Sequence, residues 1–187
     1  KQLQLEQISL VSQPTAEVTI VSYPTPISKT VLNHEEHFRL LEGRVVRVPF
    51  IELKDALLEE RRQLLWKLRD QAEVTGEVGP VDGFRLSYHL LRTPTGGTFE
   101  GYYHPTSSGL GEPVEMALAP NSAFRRAIDR LDRTTATLTI WVFPDSFGAF
   151  RHLKKELYRL GFAVAARPLP PDGKIGFSSH GSKSAAQ

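Results

Sequence analysis

The sequence predicts an α+β fold, with a mixed sheet, β-hairpins, a C-terminal βαβ unit and helices packed on the sheet. Three observations carry that prediction. Ala136 to Leu169 reads as strand, helix and strand with punctuation at each joint. Two stretches, His37 to Val48 and Phe84 to Tyr103, alternate about tight turns. Glu52 to Ala72 repeats its apolar residues at helical spacing.

Taken in order, Lys1 to Leu10 (KQLQLEQISL) is expected to be the end of an upstream helix or coiled coil. Residues 1–15 as a whole read as such an end or as a linker. Because the first residue is Lys1, the chain is expected to be a piece of a longer protein, tethered through sequence upstream of it. Ala16 to Ser22 alternates as a strand, and SYPTPISKT, with Pro24 and Pro26, reads as an extended linker or sheet edge. His37 to Leu41 and Arg44 to Val48 flank Glu42-Gly43, a hairpin turn, and Pro49 closes the pair. In the helix of Glu52 to Ala72, Leu53, Leu57, Leu58, Leu64, Leu65, Trp66 and Leu68 make a broad apolar stripe, and Glu59 to Arg62 form a solvated face.

Val74 to Gly83, with its glycines and Pro80, reads as a loop and as the boundary between an N-terminal αβ half, 16–78, and a C-terminal half, 79–177. The two halves are compatible with one domain. Phe84 to Leu90 and Thr98 to Tyr103 form a hairpin with one polar and one apolar face. Thr106 to Pro113 is a glycine-rich loop and Val114 to Leu118 a short strand, and Pro120-Asn121-Ser122 starts a helix. Thr137 to Phe143 is rich in β-branched and aromatic residues on both faces, which suits a strand inside a sheet. Pro144 ends it, and Asp145 or Ser146 is placed to cap a helix whose stripe is Phe147, Phe150, Leu153, Leu157 and Leu160. Gly161 ends that helix, Phe162 to Ala166 is the next strand, and 178–187 is a flexible tail.

The composition is that of an ordinary globular chain: 187 residues, 40% hydrophobic and 24% charged, with a formal charge of +2. Lys and Arg are dispersed among Asp and Glu, so no nucleic-acid footprint is predicted. Without cysteine, disulfides and thiolate metal sites are excluded, which fits cytoplasm and bacterial envelope alike. No window reaches the roughly 20 apolar residues of a membrane span.

Chemistry-bearing residues are sparse. His34 and His37 enclose Glu35-Glu36, but HEEH lacks the helical spacing of a His-Glu-x-x-His zinc motif, and no metal site is predicted. Ser107-Ser108-Gly109 and Gly109-x-Gly111 lack the Gly-Lys-Ser/Thr of a phosphate loop, and no cofactor is predicted. Asp145, between a core strand and a helix, and His104, beside two tyrosines, are the catalytic candidates. Arg39, Arg44, Arg47, Tyr102 and Tyr103 are the binding candidates. Arg85 and Arg92 could extend the arginines into a basic stripe beside Tyr23, Tyr88 and Tyr103, against the plainer reading of solvated strand faces.

WVFPDSFGAFRHLKKELYRLGFAVAARPLP, with VGPVDGFRLSYHLLR and YPTPISKTV, resembles a family of bacterial proteins with no assigned activity, over much of the chain. More remotely, Thr137 to Ala166 is similar in pattern to the soluble domain of accessory subunits of biopolymer-transport motors. The membrane helix of those subunits and its acidic residue have no counterpart here. The sequence thus favours a non-enzymatic interaction module, associating with itself or with another protein through the sheet edges at Ala16 to Ser22 and Phe84 to Leu90. The alternative is a small-ligand or hydrolytic domain with a cleft between the halves, drawing on His104, Tyr103, Asp145 and Arg47.

Overall fold

A computed structural model describes residues 34–94 and 96–178. The expectations for residues 1–15, Ala16 to Ser22, the proline segment with Tyr23, and the tail beyond Ser178 lie outside them. Glu35–Leu41 (β1) and Arg44–Val48 (β2) form the expected hairpin. Glu42 and Gly43 both have positive φ, 51° and 65°, the twist that a two-residue turn needs between right-twisted strands. Phe50–Asp70 is the first helix, α1. Three strands then form a meander: Glu73–Val81 (β3), Phe84–Thr93 (β4) and Gly96–Pro105 (β5).

The stretch expected as a loop and boundary is therefore strand β3 and a tight turn, and a break between residues 78 and 79 would cut that strand. Gly76 belongs in it because the Tyr88 ring crosses from β4, and a Cβ at 76 would collide with the Tyr88 hydroxyl. Pro80 is tolerated because β3 is an edge strand whose register with β4 shifts between Val78 and Val81. Asp82 and Gly83 have φ of 46° and 79° and make the hairpin turn. All the described residues fall in one compact unit.

Glu112–Pro113 (β6) is a two-residue edge strand, followed by helix α2, Val114–Ala117. The strand expected over Val114 to Leu118 is thus a helical turn. So short an apolar run carries no decisive period, and here the i, i+3 pair Val114 and Ala117 is what the core buries. α3, Ala123–Ile128, starts after Pro120-Asn121-Ser122 as expected, and Ser122 caps it by accepting a bond from the Arg125 amide. Thr137–Val142 (β7), a short 3₁₀ turn at Pro144–Ser146, helix α4 (Phe147–Arg159) and Ala163–Pro168 (β8) make the βαβ unit. Its two strands pair directly and in parallel. Ile175–Ser178 (β9), a strand not foreseen, takes up Ser178 from the expected tail.

The fold is α+β, with the strands divided between two sheets. A mixed sheet runs β6-β2-β1-β7-β8 and an antiparallel one β3-β4-β5-β9. β7 lies inside the mixed sheet and is covered on both faces, as its composition predicted. Leu138, Ile140 and Val142 join Phe38 and Leu40 beneath Phe124, Ile128, Leu153 and Leu157 of the helices. On the other face Trp141 and Val48 meet Leu53, Leu57 and Leu64 of α1 and Leu86 and Tyr103 of the antiparallel sheet. The predicted stripe on α1 is narrower than expected, for Leu58 and Trp66 are 51% and 66% exposed. Phe147 of the α4 stripe is exposed as well.

The second layer is closed by an aromatic stack. The Phe50 ring lies 3.9 Å from that of His37 and 4.0 Å from that of Tyr103. The Tyr103 hydroxyl donates to the Phe50 carbonyl at 3.2 Å, and the Trp141 indole N–H donates to His37 Nδ1 at 3.3 Å. Burial holds the His37 pKa down at about 4, with Glu35 pulling the other way and Arg167 adding to the depression, so the imidazole is a neutral acceptor.

Candidate functional site

Asp145 or Ser146 was expected to cap α4; Ser146 occupies the N-cap position, but no side chain accepts a capping bond there. The 3₁₀ turn instead points both side chains at the β1–β2 turn. The Glu42 amide donates to Asp145 Oδ1 at 3.2 Å and the Gly43 amide to Ser146 Oγ at 3.0 Å, while the Ser146 hydroxyl donates to Asp145 Oδ1 at 2.6 Å. Two residues thus satisfy the free amides of a turn distant in sequence, and this is a structural clamp.

His104 lies on the outer face of the antiparallel sheet among Glu77, Arg85 and Ser87. Its Nε2 is 2.8 Å from Ser87 Oγ and 3.1 Å from Glu77 Oε2. A nucleophilic serine relay needs its acid on the second ring nitrogen, where it fixes the tautomer. Here serine and acid share one nitrogen, and the cluster is open to solvent. Arg85, donating at 2.8 Å, is the main reason that the Glu77 carboxyl is held below the usual carboxylate range. The geometry is that of a solvated polar face.

The arginines do not form a stripe. Arg44 and Arg47 are three residues apart in β2 and emerge on opposite faces of it. Arg39 is buried, donates to the Leu110 carbonyl at 3.1 Å and lies 5.7 Å from the Phe84 ring centroid. Arg44 donates to the Gly111 carbonyl at 2.5 Å, so these two pin the glycine-rich loop. Arg85 is taken by Glu77, and Arg92 donates to the carbonyls of Leu68 and Arg69 at the end of α1. Tyr102 and Tyr103, neighbours in β5, face opposite sides. Tyr103 is buried in the aromatic stack, and burial pushes its pKa up. Tyr102 is 37% exposed beside Glu100 and Lys174. Among the four residues proposed for a shared cleft, His104, Tyr103, Asp145 and Arg47, no hydrogen bond joins one to another.

Arg47 alone lies in a sizeable cleft, of about 790 Å³, between β2 and α3. Its guanidinium meets Glu36 at 2.5 Å, Glu52 at 2.5 Å and Asp82 at 3.3 Å. Burial pulls the Arg47 pKa down, and its bonds with Glu52 and Glu36 outweigh that, leaving it raised. Glu36 is only 8% exposed at its side chain and also meets His34. Arg126 and Arg130 reach the same cleft from α3 and the turn after it, over a floor that includes Val45, Leu110 and Phe124. Sequence reasoning missed Glu36, Glu52, Asp82, Arg126 and Arg130 because each is a surface-type residue in its own segment. Only the Asp82-Gly83 turn, which holds Asp82 beside Arg47, had a local signal.

A second concavity, of about 290 Å³, opens between α1 and the antiparallel sheet. Leu57, Leu58, Leu64, Leu90, Phe99 and Phe177 line it, with Lys54 the one charged residue among its lining. Among the described residues no three His, Asp or Glu side chains converge as a metal site, and no helix is long and apolar enough to cross a membrane. β4, which carries the edge expected at Phe84 to Leu90, is an interior strand bonded to β3 and β5, so the antiparallel sheet ends at β3 and β9. No family model matches the chain, and neither a curated protein nor a solved structure matches it.

Proposed function

We propose that this chain is a non-enzymatic protein-interaction module that receives an apolar segment of a partner protein in the groove between α1 and the antiparallel sheet. The observation that carries the reading is the groove itself: six large apolar side chains around about 290 Å³, with Leu58 left 51% exposed at its edge. A partner segment that covers these side chains gains the hydrophobic term for the area it buries. The volume suits two or three apolar side chains. Lys54 has no ion-pair partner among the described residues, so the fitting segment carries a carboxylate beside its apolar anchors. The dispersal of Asp145, His104, Tyr103 and Arg47 supports a binding rather than a catalytic role.

Selection of a displayed peptide library against the intact chain tests this. The expected peptides combine apolar anchors with an acidic residue, and Leu58→Asp weakens their binding at least tenfold while Lys54→Glu reverses the preference for acid. A selection that yields no binder, or binders indifferent to both changes, refutes the reading.

A further inference from the structure

The cleft around Arg47 is a separate matter from the apolar groove and involves none of the groove's residues. We propose that it is a binding site for a small zwitterion, a molecule with one anionic group and one ammonium group on a short apolar body. Three features of the cleft determine that class. The first is an excess of negative charge at one place: three carboxylates, Glu36, Glu52 and Asp82, surround the single guanidinium of Arg47. Glu36 is buried against Arg47, whereas Glu52 and Asp82, which line the cleft, are 42% and 65% exposed and each meet Arg47 through only one carboxylate oxygen.

The second feature is positive charge in the same cleft that no ion pair joins to the first. Arg126, in α3, and Arg130, in the turn after it, both line the cleft. The neighbouring Arg125 is paired with Asp129 at 2.9 Å, but neither Arg126 nor Arg130 forms an ion pair among the described residues. Arg126 spends one nitrogen on the Asn121 carbonyl, at 2.5 Å. Glu112, which also lines the cleft, spends both carboxylate oxygens on the Ala123 and Phe124 amides, at 2.9 Å each, and forms no ion pair with either arginine. A pair of guanidinium groups with free donors is suited to a carboxylate or a phosphate.

The third feature is apolar lining, for Val45, Leu110 and Phe124 belong to the same cleft as the two sets of charges. The cleft volume of about 790 Å³ is within the range of small-molecule sites. An anion alone would satisfy the arginines and meet repulsion at Glu52 and Asp82, and an amine alone the reverse. A molecule carrying both groups satisfies both ends, which gives the site its selectivity.

The test is titration of the intact chain, read by amide chemical shifts, with ω-amino acids of three to eight carbons, with phosphoethanolamine, and with hexanoate and hexylamine as single-charge controls. One zwitterion is expected to bind at least tenfold more tightly than either control, with shifts confined to the cleft. Preference for the amino acids or for phosphoethanolamine tells which anion the arginines take. Arg126→Gln with Arg130→Gln weakens that binding tenfold or more, and so does Asp82→Asn, which keeps the size and turn preference of Asp82 and is expected to leave folding unchanged. Equal binding of a zwitterion and a single-charge control, shifts away from the cleft, binding unchanged in these variants, or no binding at 10 mM overturns the proposal.

Discussion

Acid should weaken this fold through one residue, His37. Its imidazole is sandwiched against Phe50 and receives the Trp141 indole N–H on Nδ1, which requires that nitrogen to be unprotonated. The folded protein binds a proton there with a pKa of about 4, whereas the unfolded chain does so at the ordinary 6.5. Between those values the unfolded state holds more protons, so stability is full above pH 6.5 and falls as the pH falls toward 4. Each tenfold difference in proton affinity between the two states is worth about 1.4 kcal/mol, so lowering the pH from 7 to 4.5 costs about 2 kcal/mol from this group alone. With a urea slope of about 2 kcal/mol/M, the unfolding midpoint moves down by about 1 M. The assay is urea unfolding at the two pH values, followed by tryptophan fluorescence, for the parent and for His37→Phe. The variant keeps a flat ring in the stack and loses the titration of His37. Equal midpoint shifts in parent and variant would refute the argument.

Three further outcomes follow from the packing. Arg47→Met leaves the Glu36 carboxylate buried with only His34 beside it and should cost roughly 3 kcal/mol; the double change with Glu36→Gln should recover part of this, as thermal melts would show. Ser146→Ala removes the acceptor of the Gly43 amide and should cost about 1 kcal/mol while speeding hydrogen exchange at Gly43; faster exchange in the first turn of α4 instead would restore the capping role. Leu153→Ala, at a fully buried position between α4 and the mixed sheet, should cost about 2 to 5 kcal/mol, whereas Trp66→Ala, at 66% exposure, should stay within about 0.5 kcal/mol; equal losses in denaturant melts would mean that α1 is packed differently.

The clamp at Asp145-Ser146 shows how a local motif can have a distant use. A strand, a proline and an Asp-Ser pair before an apolar stripe satisfy every local condition for a cap. The 3₁₀ turn at Pro144 rotates those side chains away from the helix amides and toward Glu42 and Gly43, whose amides the tight turn leaves free. Propensity ranks what a residue can accept, and the nearest unsatisfied donor in space decides what it does accept.

Much of the fold was legible because its signals are local. The β1–β2 and β4–β5 hairpins, the length of α1, the helix start at Pro120-Asn121-Ser122 and the βαβ unit each follow from side-chain period and turn chemistry within about 20 residues. The burial of β7 on both faces was legible too, since Leu138, Thr139, Ile140, Trp141 and Val142 leave no polar face. What tertiary structure alone decided was the division of the strands into two sheets, the conversion of a glycine-rich stretch into β3 around the ring of Tyr88, and the helical turn at Val114. It also decided the candidate sites. Arg47 meets Glu36, Glu52 and Asp82 from three other elements, and the apolar groove joins α1 to β4, β5 and β9. Such convergence depends on pairing between segments distant in sequence, and the energy that selects it, hydrophobic burial, has no direction that a single segment could record.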